Sequence, residues 1–503
     1  MMGHVNLFHA IPFACILLPL AAAATTSVLP SRWANRVATA VMVLVTGLSA
    51  VFAGYMYSYH GTFTYMMGHF PAPWGNEIRA GVLEAITALF FSLILLLSAV
   101  GGRKKATSHI APDKQGLYSV LLLLLLSALM VQVYTNDIFT AYVFLEIMTI
   151  AACSLITARS KGKTLVAAAR YMIMNLVGSG LFLLGIILLY DLTGHLLMEN
   201  LAVSVRATHV SGGYALPLTV VVGFISIGLG IKSALFPFHT WVPDAYSYTT
   251  PTSSAILSSL LSKGYIFLLI KIIIRVIGMD VVAATGIDDV LFVFAIAGMI
   301  MGSVTAIGQS DIRRMIAYSS VSQIGYVYMG IAMGNEAGMT AALFQIFSHA
   351  LGKAMLFLAA GGLADMSGNS KDFRDLRGAG YRYPLGGVVF CIGALTMVGF
   401  PFLGGFIAKV YFGAAAMTMP SWQMVAVLLT MAISAALTTV YFLKTVITLY
   451  RPPLEGRVYP PVPGKGGFLF NMALVIFALA NVALGVFSQP IVVAIAEGLR
   501  MFG

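Results

Sequence analysis

Apolar runs of about 20 residues recur along the whole chain, and they constrain its fold more than any other feature. A run such as LLLLLLSALMVQV at 121–133 lacks the alternation of a barrel strand, so it fits a membrane-spanning helix. The runs predict an all-α polytopic membrane protein with roughly fourteen crossing helices. The predicted helices cover 7–29, 35–58, 79–100, 117–134, 137–158, 168–190, 214–235, 252–277, 288–308, 313–333, 337–363, 385–412, 423–448 and 468–496.

The composition excludes a water-soluble protein, because 59% of the residues are hydrophobic and only 9% are charged. Cations outnumber acids, with 29 Lys and Arg against 18 Asp and Glu, but no basic patch with interleaved aromatic residues suggests nucleic acid. Cys15, Cys153 and Cys391 lie singly in apolar stretches. Because they are isolated, we expect each to be a small, buried apolar side chain and not a ligand of zinc or of an iron–sulfur cluster.

The cations lie in the loops that follow odd-numbered predicted helices, and Arg206 is the clear exception. The positive-inside rule therefore predicts that these loops are cytoplasmic and that both termini are on the outer side. No Lys or Arg precedes the first apolar run, so we interpret it as a membrane helix and not a secretory signal. The cations of the odd loops are Arg32, Arg36, Arg103, Lys104, Lys105, Lys114, Arg159, Lys161, Lys163, Arg313, Arg314, Lys371, Arg374, Arg377, Arg382, Arg451, Arg457 and Lys465.

Ionisable side chains within the predicted spans are few, and each costs several kcal/mol in lipid unless it has a partner or a function. Glu146 is the lone carboxylate inside the apolar run IFTAYVFLEIMTIAA, and Lys232 lies in FISIGLGIKSALFPFHTWVPDAY. A carboxylate and an ammonium on adjacent helices stabilise each other's charged forms. We interpret them as members of an ion path, with a purely structural ion pair as the alternative.

Two predicted spans are interrupted by Pro and Gly. Lys232 lies five residues before Pro237, and Lys409 is the lysine of MVGFPFLGGFIAKV, which contains Pro401. Backbone groups freed by such breaks are tolerated only where they line a wet cavity, and paired breaks are typical of inverted-repeat transporters. Within a single membrane domain, 1–503, we predict three N-terminal helices in 1–110, inverted five-helix repeats in 115–277 and 288–448, and a C-terminal helix in 465–503.

Three further ionisable residues lie near the centre of predicted spans. Lys263 is flanked by serines in SSAILSSLLSKGYIF, whose hydroxyls can accept hydrogen bonds and hold water, although snorkelling is an alternative. His349 and Lys353 are at positions i and i+4, so they share one helix face. Two cations so close in a low dielectric titrate as a coupled pair, which suits proton transfer.

Other ionisable residues have weaker signals. His239 and Asp244 lie in PFHTWVPDAYSYTTP, where a structural turn explains them as well as a proton-entry role does. Glu84 has no assigned role, and Lys444 lies close enough to a helix end to snorkel. Arg313 and Arg314 are expected to anchor the cytoplasmic face.

Residues from about 115 to 415 resemble the antiporter-like, proton-conducting membrane subunits of respiratory complex I, membrane-bound hydrogenases and Mrp-type cation/proton antiporters, and four ordered motifs make this resemblance specific. Lys409, where one complex I subunit type has Glu, and the HxxxK of His349 and Lys353 are more similar to Mrp D-type and hydrogenase-associated subunits. Tyr246 replaces a His that is common in the family. The motifs are GLGIKSALFPFHTWVPDAYSYTTPTSSA, SDIRRMIAYSSVSQIGY, FSHALGKAMLFLAAGGL and GFPFLGGFIAKV.

The resemblance implies roughly fourteen helices, an inverted pair of repeats and a proton path. It also implies roles for individual positions along that path. These are an acidic partner at Glu146, the lysine of the first broken helix at Lys232, a bridging residue at Lys263, a pair at His349 and Lys353, and a terminal lysine at Lys409.

We therefore expect a subunit that translocates H⁺, or exchanges Na⁺ for H⁺, in the cytoplasmic membrane of a prokaryote. Its expected partners are other membrane subunits, a redox module in some settings, and the lipid bilayer, but not nucleic acid. No fingerprint for a phosphate, flavin, nicotinamide or metal appears, so any redox cofactors are expected on partner subunits, and no bond chemistry is expected here. Two alternatives stay open: a self-sufficient proton-coupled solute transporter, and a quinone-reactive or scaffold membrane subunit of an oxidoreductase.

Overall fold

The computed structural model describes residues 7–67, 70, 75–453 and 466–502, so the loop cations Arg457 and Lys465 lie outside the described residues. Every segment predicted to cross the membrane is helical over most of its length. In this part of the chain, 11 helices are long and apolar enough to cross a membrane. The protein is therefore an all-α, multi-pass membrane protein.

Helices account for most of the elements, and the one sheet among the described residues has two antiparallel strands that pair Phe63 with Ala80. The strands are β1 (Phe63–Met66) and β2 (Glu77–Ala80). The α-helices are α1 (Ile11–Thr26), α2 (Ser31–Tyr59), α3 (Val82–Gly101), α4 (Arg103–Thr107), α5 (Gln115–Tyr134), α6 (Ile138–Thr157), α7 (Gly162–Thr193), α8 (Met198–Ser211), α9 (Ala215–Ser233), α10 (Val242–Tyr248), α11 (Pro251–Ile256), α12 (Ser262–Ile272), α13 (Met279–Thr285), α14 (Ile287–Ile307), α15 (Ile312–Ala332), α16 (Glu336–Asp365), α17 (Ala379–Arg382), α18 (Pro384–Val398), α19 (Gly404–Ala416), α20 (Ser421–Tyr450), α21 (Phe468–Val486) and α22 (Ser488–Arg500). Shorter 3₁₀ turns cover Leu7–Ala10, Pro112–Lys114 and Phe238–Trp241, and π-helical segments cover Leu257–Leu261 and Ile273–Ile277.

Several helices begin at a side chain that caps the backbone. Asp137 accepts a hydrogen bond from the Thr140 amide at 2.6 Å, and Asn335 accepts one from the Gly338 amide at 2.6 Å. Such caps satisfy amides that have no partner within the helix. In lipid an unsatisfied amide is costly, so the caps help fix where the spans begin.

Contacts between loops show that the helix ends lie on two opposite faces of the bundle. On one face, which we call the basic face, Lys114 donates to Ser160 at 3.1 Å and Lys371 pairs with Asp311 at 2.9 Å. On the opposite face, His60 lies 2.8 Å from Glu497. The loops after odd-numbered predicted helices meet at the basic face, as alternate crossing requires.

Helix α16 lies at the centre of the bundle and is buried along its apolar length. Close approach to α15 depends on small residues, because a Cβ on Gly330 would lie 2.6 Å from the carbonyl oxygen of Gly338. Small residues at such contacts let membrane helices pack backbone to backbone. The arrangement surrounds the polar side chains of α16 with protein and keeps them from lipid.

The C-terminal helix predicted over 468–496 is wrong in its extent. Helix α21 ends at Val486, and α22 begins at Ser488 and packs its Gly498 against Leu83 of α3. Pro490 lacks the N–H that a continuous helix would need, so it suits the first turn of a new helix. Helix α8 and the β1–β2 hairpin, which were not predicted from the hydropathy pattern, both lie in loops between spans.

Candidate ion-translocation site

Glu146 and Lys232 form an ion pair between α6 and α9, with the carboxylate Oε1 and the ammonium Nζ 3.5 Å apart. The Lys232 side chain is fully buried, whereas that of Glu146 is 23% exposed on the side of the bundle. Lys232 also donates to Thr149 Oγ1 at 2.8 Å, and Ser179 donates to Glu146. Each charge therefore has a partner charge and a hydroxyl, which is what a buried ion pair needs to be tolerated.

The first helix break follows Lys232. Helix α9 ends at Ser233, Ala234 adopts φ of 69°, and the Leu235 amide donates to the Gly230 carbonyl at 2.9 Å. This is the Schellman arrangement that terminates helices. The chain continues through Pro237 and a 3₁₀ turn into α10.

The second break repeats this chemistry between α18 and α19. Gly399 adopts φ of 89°, and the Phe400 amide donates to the Leu395 carbonyl at 2.9 Å. Lys409 lies beyond this break, whereas Lys232 precedes its own. The Lys409 ammonium nevertheless reaches back to the break, where it donates to the carbonyls of Val398 and, at 3.3 Å, Met397. It thereby satisfies carbonyls that the interrupted helix leaves free.

Lys263 lies at the second residue of α12, directly after the π-helical segment Leu257–Leu261. Its ammonium donates to the Ser258 carbonyl at 2.5 Å, and the Ser258 hydroxyl lies 3.2 Å from that of Ser320 on α15. The expected serine environment is thus present, and it extends to a second helix. π-Helical turns often occur at functional sites, because they offset a helix face.

Tyr265 connects the Lys232 and Lys263 regions. It lies on α12 two residues after Lys263, its hydroxyl lies 3.2 Å from Thr149 Oγ1, and its ring lies 5.3 Å from the Lys232 ammonium. A hydroxyl and a ring face both stabilise a nearby cation. Tyr265 and Thr149 are not ionisable near neutral pH, so they did not stand out in the sequence as charged residues within a span do.

His349 and Lys353 lie on one face of α16 and are fully buried. Lys353 donates to the Ile316 carbonyl at 2.9 Å and to the Ser319 hydroxyl. The same Ile316 carbonyl accepts a hydrogen bond from Ser320 at 3.2 Å, so one carbonyl joins the Lys263 region to Lys353. Neither ring nitrogen of His349 has a partner among the described residues, and a buried ring in that position needs water.

A group of hydroxyl residues lies between Lys353 and Lys409. Ser303 lies 2.9 Å from Ser322 and 3.4 Å from Ser434, and Tyr326 donates to the Met431 carbonyl at 3.3 Å. The Tyr326 ring lies 5.6 Å from the Lys409 ammonium. Ser322 and Tyr326 lie in the motif YSSVSQIGY, but hydroxyls alone do not identify an ion path.

We call the six ionisable residues and the hydroxyls between them the polar row. It extends from Glu146 on α6 to Lys409 on α19 and contains the ionisable residues of the principal sequence prediction. Its ionisable members are Glu146, Lys232, Lys263, His349, Lys353 and Lys409.

Asp244 and His239, the two weaker candidates, lie apart from the polar row. Asp244 pairs with Arg170 at 2.5 Å and with Arg314 at 3.0 Å, at the basic face. The His239 ring stacks on Phe236 with centroids 5.3 Å apart. These contacts support the structural alternative for Asp244, since two guanidinium groups hold its carboxylate.

Arg313, which was expected with Arg314 to anchor the cytoplasmic face, is an interior residue. It is buried and donates to the carbonyls of Tyr246 and Thr249, at 2.9 and 2.7 Å. The free carbonyls at the end of α10 attract the guanidinium, which ties the start of α15 to the first broken helix.

A second buried cluster, near the opposite face, was missed. Glu84 Oε1 lies 3.0 Å from Arg275 Nη2, and both side chains are buried. Lys271 donates to the carbonyls of Val133 and Thr135 at 2.5 and 2.8 Å, and so caps the end of α5. The signal was two cations four residues apart in KIIIR, inside a span. Lys444, by contrast, is exposed, in keeping with snorkelling.

In the described ranges no three or more His, Cys, Asp or Glu residues come together as a group that could hold a metal ion. The fold and the polar row together define a multi-pass membrane protein with a buried, hydroxyl-linked row of charges. Residues 135–434 match the family model described as "NADH:quinone oxidoreductase/Mrp antiporter, TM". The chain belongs to this family, and the resemblance stated from its motifs is confirmed.

Individual relatives agree with this assignment. The chain is 36% identical over 446 residues to the NADH-quinone oxidoreductase subunit N of Desulforudis audaxviator, which covers 85% of each protein. Its fold is similar to a chain in the structure of an archaeal membrane-bound sulfane sulfur reductase, with a TM-score of 0.87, 25% identity, and coverage of 98% of this chain and 97% of that one. A chain of the Mrp complex from Dietzia sp. has the same fold, with a TM-score of 0.83, 22% identity, and coverage of 99% and 97%.

Proposed function

We propose that this chain translocates protons, alone or in exchange for Na⁺, as a membrane subunit of a multi-subunit complex. The observation that carries the proposal is the polar row. Six buried or half-buried ionisable groups in the interior of a membrane protein are unfavourable in free energy, and a path for ions is one function that accounts for all six. Family membership supports the same function.

The mechanism that we propose depends on electrostatic coupling along the row. While Glu146 is ionised it stabilises the charged form of Lys232 at 3.5 Å. Protonation of Glu146, or separation of the pair, removes that stabilisation, so Lys232 releases its proton. Thr149 and Tyr265 provide hydroxyls in the direction of Lys263. The charge on Lys263 then changes the free energy of protonating the neighbouring ionisable residues. A change in protonation at one residue therefore alters the protonation of the next residue along the row.

His349 occupies the central position in this scheme. It lies on the same helix face as Lys353, and its buried ring nitrogens are free to exchange hydrogen bonds with water. We propose that His349 passes a proton between the Lys263 and Lys353 regions. Lys409 then forms the far end of the row, at the second helix break.

We propose about fourteen crossings for the complete bundle. Three segments join the 11 long apolar helices, namely the span from α11 to Ile277, α15, and the broken pair α18 and α19. Matching Schellman ends before Pro237 and Pro401 support two inverted repeats, in residues 115–277 and 288–448. Residues 1–110 and 465–503 would flank the repeats within one membrane domain.

The partial exposure of Glu146 supports the presence of partner subunits. A carboxylate on the side of the bundle would face lipid in the isolated chain, which is unfavourable by several kcal/mol. A neighbouring subunit would cover it. We propose a prokaryotic cytoplasmic membrane, with the basic face towards the cytoplasm and the termini outside. Redox cofactors, if the complex has them, would lie on partner subunits.

The test uses the native complex, purified with its co-eluting subunits identified by mass spectrometry and reconstituted in vesicles. Proton and Na⁺ movement would be compared for wild type, Lys232→Ala and the matched control Lys444→Ala, which removes an exposed lysine of another span. We expect ion translocation to be lost in Lys232→Ala and to be retained in Lys444→Ala. Iron–sulfur subunits would indicate a redox-driven pump, and exchange driven by an imposed gradient would indicate an antiporter. Unimpaired movement in Lys232→Ala would refute the proposed path.

A further inference from the structure

The basic face contains a cavity of about 410 Å³ between the ends of several helices. The end of α3, the short helix α4, and the starts of α5 and α21 form its walls, and Asn35 of α2 contributes to it. Cavities of this size hold small ligands. Because membrane helices begin and end around it, the cavity lies at the level of the lipid headgroups.

Three consecutive cations line this cavity: Arg103, Lys104 and Lys105. The charge of Lys105 is compensated within the protein, because Lys105 pairs with Asp365 and its ammonium lies 4.3 Å from the centre of the Phe470 ring. Arg103 and Lys104 are exposed, and their side chains make no ion pair or hydrogen bond with the described part of the chain. No acidic residue is among the described residues of the lining. The cavity therefore has two uncompensated positive charges.

Helix α21 adds to the positive potential. Its N-cap is Gly467, it has no side-chain cap, and its first turn contains no acidic residue. The Lys104 ammonium lies beside Gly467, 3.8 Å from where a Cβ on that glycine would be. The free amides of a helix start attract anions, and here they lie next to two cations.

The mouth of the cavity is apolar. Phe468 is 80% exposed and Leu469 is 46% exposed, at the start of α21. Trp33, at the start of α2, is also exposed and holds Arg36 against its ring, an arrangement typical of the membrane interface. A ligand for this site thus needs an anionic group for the cavity and apolar chains for its mouth.

We propose that this cavity binds the headgroup of an anionic phospholipid, with the phosphate between Arg103, Lys104 and the start of α21. Basic pockets between membrane helices on the positively charged face recognise such headgroups. The acyl chains would extend over Phe468 and Leu469 into the bilayer. This inference does not depend on the ion path, because none of these residues belongs to the polar row.

The experiment measures lipid binding to the purified, delipidated native complex by native mass spectrometry. The probes are phosphatidylglycerol, phosphatidylcholine of the same chain length, and inorganic phosphate. We expect phosphatidylglycerol to bind selectively, and the double variant Arg103→Gln, Lys104→Gln to bind it about 30-fold more weakly, at about 1 kcal/mol for each cation near the headgroup. The variant Arg103→Lys, Lys104→Arg keeps both charges and should keep most of the binding, which separates loss of the site from misfolding.

The matched control is Lys161→Gln, Lys163→Gln, which removes two exposed cations from the same face outside the cavity. It should bind phosphatidylglycerol like wild type. Equal weakening in the control would show a general surface effect and overturn the proposal. Equal occupancy by phosphatidylcholine would also overturn it, and competition by inorganic phosphate alone, without lipid selectivity, would identify a free-anion site instead.

Discussion

The pair of Glu146 and Lys232 allows a quantitative test of the electrostatic coupling on which the proposed path depends. At 3.5 Å, two unit charges attract by about 5 kcal/mol in an effective dielectric of about 20. Water and a partner subunit can approach Glu146, since it is 23% exposed, so we expect about half of this value. The variant Glu146→Gln keeps the shape of the side chain and removes its charge.

The assay is a double-mutant cycle with Glu146→Gln and Lys232→Met, read as thermal stability of the purified complex. We expect a coupling energy of about 2–3 kcal/mol, because either single change leaves a charge without its partner and the double change leaves neither. Proton transport in vesicles should be lost in all three variants. The same cycle with Lys444→Met in place of Lys232→Met should be additive within about 0.5 kcal/mol.

Two results would refute this reasoning. A coupling below about 0.5 kcal/mol would mean that the two side chains do not stabilise each other's charge in the membrane. Wild-type transport in Glu146→Gln would mean that the pair is structural, which is the alternative that the sequence left open.

Three further predictions concern other parts of the bundle. Gly405→Ala should destabilise the second break by about 1–3 kcal/mol, seen as a lower thermal midpoint, because its Cβ would lie 1.9 Å from the Thr396 carbonyl oxygen. Glu84→Gln should destabilise the complex by about 3–5 kcal/mol by leaving buried Arg275 without its carboxylate, and the double change with Arg275→Met should recover most of that loss in the same assay. Burial lowers the pKa of His109, in the loop before α5, below 6.5, so the unfolded chain binds a proton that the folded chain does not; stability should fall as pH drops below about 6.5, and less steeply in His109→Gln when unfolding is followed against pH.

The sequence predicted the spans because lipid imposes a simple rule on them. Each crossing needs a long apolar run, and the chain has such runs from α1 to α21. The elements that were missed, α8 and the β1–β2 hairpin, lie in the loops between spans. Their sequences face water on one side, so hydropathy alone gives no clear signal there. The break at Phe487 was missed because the apolar run continues across it.

The ionisable residues of the candidate site could be selected from the sequence because charged side chains are rare in membrane spans. Each of the six ionisable residues stood out because it lies within a predicted membrane span. What joins them did not stand out: Thr149, Tyr265 and Ser320 are ordinary residues for a membrane helix. Distances between helices decide which hydroxyls meet, and sequence spacing along one helix cannot supply those distances.

The two broken helices explain why the ends of the polar row differ. Lys232 lies in the last turn before its break, and a carboxylate compensates its charge. Lys409 lies after its break, and backbone carbonyls of the broken helix compensate its charge. A carboxylate can gain or lose a proton, whereas a backbone carbonyl cannot. Protonation of Glu146 can therefore change the charge of Lys232, but the carbonyls around Lys409 cannot change the charge of Lys409 in this way. Control over proton movement should therefore lie with the Glu146–Lys232 pair, and a neighbouring subunit that approaches Glu146 could trigger the row.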